Sequence, residues 1–362
     1  MKGTSVGTTG PDQLRSTEHR SLLTVGAAVA GLHLGGWGAL LVLVLPAQDQ
    51  HGGNTAALLA LAISAYALGI RHAFDADHIT AIDNATRKLL TAGRPTTSTG
   101  FWFALGHSSV VMISVLLLAM GLETFTGGLS DENSDLRSAA GTWGATISGL
   151  FLLAVGALNL PALLNLHRIR RTLHTGPLNE ADLQHHLDHR GVLHRLLRPL
   201  SRLVDRPTKM YPIGFLFGLG LDTAASISLF VLTGTLAPGL PWYTVMVLPI
   251  LFTAGMTLFD SADGILMSRL YHWASADSRR KVTYNLVVTA VSIGVAFLIG
   301  GTGLLTVLAD LSTSPTGILR AITTINLNFL GLALIMFFTL TCLAARIWRK
   351  NKPNPTVLVL HA

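Results

Sequence analysis

The chain has 362 residues, of which 50% are hydrophobic and only 12% are charged, and its mean hydropathy is +0.51. Soluble domains carry about a quarter of their residues as charged side chains, so this composition argues against an ordinary soluble protein and indicates a membrane protein. The net charge of +7 suits attraction to anionic lipid and does not require nucleic acid as a partner, while the single Cys342 excludes a disulfide within the chain.

Eight apolar runs along the chain are long enough to cross a bilayer, which takes about 20 helical residues. The predicted fold class is therefore an all-α polytopic membrane protein with eight transmembrane helices. In chain order the runs are Ser21 to Leu45, Thr55 to Ile82, Gly100 to Leu122, Ala140 to Leu166, Tyr211 to Ala237, Trp242 to Leu270, Val282 to Leu308 and Ile322 to Trp348.

The basic residues indicate the orientation of these helices, because short cytosolic loops carry an excess of Lys and Arg. With both termini inside and Arg71 set aside as intramembrane, 23 of the remaining Lys and Arg residues fall on the cytosolic side and 2 outside. We therefore expect both termini in the cytosol. The predicted units are a tail over 1–20, helices one to four over 21–166, a cytosolic loop rich in His and Arg over 167–209, helices five to eight over 210–348, and a tail over 349–362.

The cytosolic loop is too short for a nucleotide-hydrolysing domain, and the sequence contains no Gly-Lys-Ser/Thr phosphate loop. Any transport must therefore draw its energy from elsewhere. Six histidines of this loop allow two interpretations, a solvated basic loop or a metal-capturing antechamber. They are His167, His174, His185, His186, His189 and His194.

Six ionisable residues fall inside the predicted spans, where each unpaired charge costs about 2.5 to 3.5 kcal/mol. Unpaired, they would together cost on the order of 15 to 20 kcal/mol, more than the net stability of a typical protein. They must therefore be paired, protonated, hydrated or bound to a cation. These residues are Arg71, Asp75, Asp77, Asp222, Asp260 and Asp263.

Four polar motifs are predicted to lie at a common depth, between the midplane and the cytosol. The second span carries "RHAFDADHI" and the third carries "FALGHSSVV" with His107. The fifth carries "LGLDTAASI" with Asp222, and the sixth carries "GMTLFDSADG" with Asp260 and Asp263. Their convergence predicts one intramembrane site.

Helical geometry sets a limit on the motif of the second span. His72, Asp75 and His78 share one sector of a regular helix, and Asp77 points to a different side. His72 and His78 are nevertheless about 9 Å apart along a helix axis, too far to share one metal ion easily. Either the helix unwinds here, as binding segments of transporters do, or the histidines mark successive stations. Arg71, one turn from Asp75, offers a structural alternative in which it neutralises that carboxylate.

Imidazole nitrogen combined with carboxylate oxygen, without thiolate, favours divalent nickel, cobalt, zinc or copper over magnesium and calcium. The predicted metal-binding residues are His72, Asp75, Asp77, His78, His107, Asp222, Asp260, Asp263 and His33. For each, the alternative is a hydrogen-bonded or ion-paired residue that packs helices. This alternative weighs most for His33, which stands alone among glycines of the first span.

These motifs resemble the nickel/cobalt transporter (NiCoT) family of eight-span secondary permeases. The family's second-helix signature is His, four residues, then Asp-His, and it appears here between His72 and His78 within "RHAFDADHI". The resemblance continues in "LGHSSVV", "LGLDTA" and "GMTLFDSADG". It implies roles in metal recognition and transport for His72, Asp75, Asp77 and His78. The fifth-helix motif departs from the family pattern, because Leu221, Ala225 and Ser226 replace its Phe and Thr-Glu.

We therefore predict a secondary transporter, not an enzyme, that imports Ni²⁺ or Co²⁺ through the cytoplasmic membrane of a prokaryote. The metal dication is the substrate, no resident cofactor is expected, and the bilayer is the other partner. The alternatives are a metal exporter of related fold and, from another class, a membrane metalloenzyme. The sequence leaves the choice of metal and the oligomeric state open. Similar polar motifs in oppositely directed second and fifth helices also predict an inverted repeat of three helices each.

Overall fold

The computed structural model of the chain describes residues 11–50, 54–120, 134–175, 202–220, 242–274, 279–312, 317, 321 and 329–350. All regular structure in these ranges is helical, which confirms the predicted all-α class. A π-helical stretch at Leu40–Val44 joins the first two helices. The helices are α1 (Pro11–Ala39), α2 (Leu45–Gln50), α3 (Thr55–Ala73), α4 (Ala76–Thr91), α5 (Thr99–Ala119), α6 (Asp135–Thr175), α7 (Met210–Gly218), α8 (Trp242–Ala274), α9 (Arg279–Asp310) and α10 (Leu330–Lys350).

Six segments in the described part of the chain are long and apolar enough to cross a membrane. They correspond to predicted spans one to four, six and seven, so the protein is a multi-pass membrane protein. The fifth span is described only to residue 220 and the eighth only from residue 329, so the count of eight stays a prediction. The six segments are Ser16–Gln50, Thr55–Ala73, Thr99–Leu117, Asp135–Arg171, Met246–Tyr271 and Asn285–Asp310.

Several predicted span boundaries differ from the structure, and α1 begins at Pro11 and not at Ser21. The second span was expected as one helix from Thr55 to Ile82, but its helix ends at Ala73 and a new helix, α4, begins at Ala76. The fourth span was expected to end at Leu166, but α6 continues to Thr175. The continuation follows from the strong helix-forming residues after Leu166, because a helix need not end where its apolar run ends.

Helices α3 and α8 pack closely through one glycine on each helix. A Cβ atom on Gly69 would overlap the carbonyl of Phe252, and one on Gly255 would lie 2.6 Å from the carbonyl oxygen of Tyr66 and 3.2 Å from the backbone nitrogen of Ile70. Small residues let helix backbones approach inside a membrane, where packing and not the hydrophobic effect drives helix association. These two glycines therefore fix the distance between α3 and α8.

Helices α5 and α7 pack in the same way. A Cβ atom on Gly214 would overlap the carbonyl of Phe103, and one on Gly106 would overlap the carbonyl of Tyr211 and lie 2.9 Å from the backbone nitrogen of Phe215. The contacts of the α3–α8 pair thus recur, residue for residue, in the α7–α5 pair. Helix α7 takes the place of α3, and α5 takes the place of α8.

Helices α6 and α9 contact each other reciprocally as well. Gly149 faces the carbonyl of Gly300 and the side chain of Leu304, and Gly300 faces the carbonyl of Gly149 and the side chain of Leu153. Contacts of this kind are expected when α3, α5 and α6 are related to α7, α8 and α9 by a pseudo-twofold axis. They support the predicted inverted repeat. The equivalent residues are Tyr66 and Tyr211, Gly69 and Gly214, Ile70 and Phe215, Phe103 and Phe252, Gly106 and Gly255, and Gly149 and Gly300.

Candidate metal site

The site begins at the interruption between α3 and α4. The N–H groups of Phe74 and Asp75 donate to the carbonyls of Arg71 and His72, each at 3.0 Å, and these three-residue bonds end α3. Asp75 is extended, with φ −66° and ψ 139°, and α4 starts directly after it. The interruption brings the ring centroids of His72 and His78 to 4.8 Å. Of the two arrangements open to the sequence, the structure contains the interrupted helix.

His107 of α5 completes a cluster of three imidazoles. Its ring centroid lies 4.6 Å from that of His72 and 4.7 Å from that of His78. One ligand atom from each of the three rings can be chosen so that all lie within 4.8 Å of one another. The Nε2 atoms of His72 and His107 are 2.9 Å apart. We call these three residues the histidine triad; all of its side chains are buried.

A carboxylate lies beside the Nδ1 atom of two of the three imidazoles. The Nδ1 atom of His72 lies 3.2 Å from Oδ2 of Asp75, and the Nδ1 atom of His78 lies 3.4 Å from Oδ2 of Asp260. A carboxylate at one ring nitrogen favours a proton there and leaves the lone pair of the other nitrogen for a metal. For His72 this arrangement turns the Nε2 lone pair to the centre of the site, where Nε2 of His107 lies, and Asp260 places a carboxylate beside His78.

Aromatic rings surround the imidazoles. The ring of Phe103 lies 4.8 Å from that of His78, and the ring of Phe252 lies 5.9 Å from that of His72. Both phenylalanines are buried, and they occupy equivalent positions in the two repeats. Such surroundings exclude water and strengthen electrostatic interactions with a bound cation. These rings could not be identified from the sequence, because an apolar span contains many aromatic residues and nothing in the neighbouring sequence shows which of them contact a polar site.

Arg71 and Asp77 are the other two ionisable residues of the second-span motif. Arg71 is exposed and, among the described ion pairs, it does not pair with Asp75, which pairs with His72. The structural alternative, in which Arg71 neutralises the charge of Asp75, stays a prediction. Asp77 lies in the first turn of α4, and its Oδ1 accepts a hydrogen bond of 2.9 Å from the N–H of His78. There it stabilises the start of α4, since carboxylates near a helix N-terminus interact favourably with its free N–H groups.

The remaining predicted residues fall in three places. Asp263 is buried on α8, and in the described part of the chain neither of its carboxylate oxygens has a hydrogen-bond partner. His33 of α1 lies apart from the triad, with Nδ1 2.8 Å from the carbonyl of Val29 and Nε2 3.2 Å from the hydroxyl of Tyr66. Asp222 lies outside the described residues, as do four loop histidines, His185, His186, His189 and His194.

A buried polar network anchors α4 beyond the triad. Arg87 was counted with the cytosolic loops, but it is buried and donates to the side-chain oxygens of Tyr271 and Thr289. Tyr271 in turn donates to Oδ1 of Asp83, and the guanidinium lies 4.0 Å from the centre of the tyrosine ring. Asp83 and Arg87 stand four residues apart on one helix, a spacing that brings side chains together and could have identified the pair. The network joins α4 firmly to α8 and α9.

This chain is similar to known proteins along most of its length. It matches a family model described as high-affinity nickel-transport protein over residues 58–347. It is similar to the nickel transporter NicT of Mycobacterium tuberculosis, with 42% identity over 328 residues, 90% of this chain and 88% of the relative. No solved structure matches it.

Two further relatives cover almost the whole chain. The nickel transporter NixA of Staphylococcus aureus is 37% identical over 334 residues, 92% of this chain and 95% of the relative. The cobalt transport protein NhlF of Rhodococcus rhodochrous is 37% identical over 348 residues, 93% of this chain and 95% of the relative. The chain, with its buried histidine triad between membrane helices, belongs to the family of high-affinity nickel-transport proteins.

Proposed function

We propose that the protein is a secondary transporter that imports Ni²⁺ or Co²⁺ across the cytoplasmic membrane of a prokaryote. The observation that supports this most directly is the histidine triad. Three buried imidazoles with converging nitrogens in a membrane-spanning protein suit a transition-metal dication better than any hard cation. Relatives of this chain carry both nickel and cobalt in their names.

The proposed ligands are the imidazoles of His72, His78 and His107. The carboxylates of Asp75 and Asp260 orient two of these rings and supply negative charge beside the bound dication. A buried dication without such charge would suffer a large loss of hydration energy. His33 is not part of this proposed ligand set, since the described histidines whose nitrogens lie close enough together to hold a metal are His72, His78 and His107, whereas His33 contacts Tyr66.

Asp263, Asp77 and Asp222 are proposed as residues along the path and not as members of the triad site. Asp263 follows Asp260 by three residues on the same helix, a spacing that brings side chains to one face. It therefore offers a second carboxylate on the predicted cytosolic side of the site. Asp77 lies at the start of α4, next to His78. For Asp222 the proposal rests on its position in the fifth-helix motif alone.

The membrane potential is a sufficient driving force for import. Moving one elementary charge through 100 mV is worth about 2.3 kcal/mol, so a dication gains about 4.6 kcal/mol. This free energy corresponds to accumulation by about three orders of magnitude at equilibrium. Release into the cytosol requires moderate affinity, which neutral imidazole ligands provide more readily than thiolates.

Uptake of radiolabelled nickel into proteoliposomes with an imposed inside-negative potential tests this function. Wild-type protein should accumulate the label, and His78→Ala or His107→Ala should abolish accumulation while the protein remains in the vesicles. His167→Ala is the matched control, because His167 is exposed at the end of α6. Normal uptake by the triad variants, or an equal loss in the control, would refute the proposal.

A further inference from the structure

We propose that Met256 of α8 supplies a thioether to the metal site and sets its preference for Ni²⁺ and Co²⁺ over Mn²⁺. This inference rests on the proposed function and adds to it a ligand, Met256, which stands in the sixth-span motif without a predicted role. Three observations support it: the position of Met256 along α8, the packing of α8 on α3, and the inverted repeat.

The position of Met256 along α8 places it between two contacts with the triad. Phe252, Met256 and Asp260 follow one another at intervals of four residues, so they lie within a sector of about 80° on one face of the helix. Phe252 at one end contacts the ring of His72, and Asp260 at the other end lies beside His78. The face of α8 between these contacts, which Met256 occupies, is therefore turned toward the same two imidazoles.

The packing of α8 on α3 brings this face close to the site. Gly255, the residue before Met256, lies so near to Tyr66 and Ile70 that any side chain there would collide with the backbone of α3. Met256 is fully buried, and it belongs to the same apolar cluster as Phe252 and Ala73, the last residue of α3. The methionine thus lies in the apolar core that α8 forms with α3.

The inverted repeat gives a reason why a ligand should stand at this position. Gly255 is equivalent to Gly106, since both receive a tyrosine carbonyl from the helix that they contact. The residue after Gly106 is His107, a member of the triad, and the residue after Gly255 is Met256. One repeat therefore presents an imidazole where the other presents a thioether.

The chemistry of the two side chains differs in a way that affects selectivity. A thioether is a soft donor that prefers transition metals, whereas Mn²⁺ and Mg²⁺ prefer oxygen ligands. It is also neutral, so it adds to the affinity for nickel or cobalt without adding charge that would delay release. The alternative role of Met256 is to fill space, since methionine packs well into irregular gaps of a core.

Met256→Leu separates these two roles, because leucine preserves apolar volume and removes the sulfur. Met267→Leu is the matched control: Met267 is equally buried on α8, but it packs in a different cluster, with Ile79 and Tyr271. Two measurements are made on full-length protein: X-ray absorption of the Co²⁺-loaded form in detergent, and inhibition of radiolabelled nickel uptake by Mn²⁺ in proteoliposomes.

We expect sulfur in the cobalt coordination shell of wild-type and Met267→Leu protein and none in Met256→Leu. The concentration of Mn²⁺ that halves nickel uptake should fall about tenfold in Met256→Leu, equivalent to about 1.4 kcal/mol, and should not change in the control. Met256→His should lose the sulfur seen in the wild-type shell and gain one imidazole, which identifies the position as a ligand position even if Met256→Leu does not fold.

The outcomes distinguish this inference from the function on which it rests. If Met256→Leu retains the wild-type coordination shell and selectivity, Met256 only fills space and the inference is wrong, although the triad site stands. If wild-type protein binds cobalt with no imidazole signal, the triad site itself is wrong, whatever the methionine variants show.

Discussion

The carboxylate of Asp260 provides the sharpest test of how the triad is organised. Its Oδ2 atom lies 3.4 Å from Nδ1 of His78, and its side chain is fully buried. A negative charge in this position favours a proton on Nδ1 of the imidazole, which leaves the Nε2 lone pair available to a metal. Asp260→Asn preserves the size of the side chain and removes its charge.

The expected effect follows from the place of this carboxylate behind a metal-binding histidine. Loss of such a partner lowers metal affinity by about 10- to 100-fold, which equals about 1.4 to 2.7 kcal/mol. We expect Asp260→Asn to weaken nickel binding by at least about tenfold. Isothermal titration of purified protein with NiCl₂ near neutral pH measures this change directly.

Asp263→Asn is the matched control for this experiment. Asp263 is also a buried aspartate of α8, only three residues further along the helix. In the described ion pairs of the triad, however, the carboxylates are those of Asp75 and Asp260. Its substitution should leave nickel affinity within about threefold and act on the transport rate instead. Equal losses of affinity in both variants would mean that buried negative charge alone, and not the orientation of His78, determines binding.

Three further outcomes are expected. Nickel affinity should fall between about pH 7.5 and pH 5.5 in binding titrations, because protons compete with the metal for imidazole lone pairs and free histidine has a pKa near 6.5; constant affinity would contradict imidazole ligation. Gly69→Ala should lower thermal stability and nickel binding together, since its Cβ would overlap the carbonyl of Phe252. The control Gly294→Ala meets open space, so it should be neutral or stabilise the protein by up to about 1 kcal/mol. His33→Phe should leave nickel affinity within about twofold in the same titrations, and a larger loss would return His33 to the ligand set.

The type of fold and the segments that carry the site residues could be predicted from the sequence, because both depend on local properties. An apolar run of about 20 residues must be helical in a membrane, where every backbone polar group needs an internal partner. The high cost of ionisable groups in such a run marks the place where they occur as functional. Both inferences required only the identity of neighbouring residues.

The choice of ligands required the tertiary structure. A regular helix places His72 and His78 about 9 Å apart along its axis, and only the interruption at Phe74 and Asp75 brings them together. Helical geometry places Asp75 and Asp77 on different sides of the second span, but only the structure shows that one lies beside His72 and the other stabilises the start of α4.

The sequence by itself determined that this chain crosses a membrane as helices and carries imidazoles and carboxylates within its apolar runs. Only the tertiary structure decided that His107 joins the two histidines of the second span, that Asp260 lies behind His78, and that His33 lies elsewhere. The physical reason is that these contacts depend on the glycines that set helix distances and on the interruption of one helix. The glycine contacts join residues far apart in the chain, where the sequence pattern carries no distance information, and the interruption breaks the regular helical geometry from which distances could be estimated.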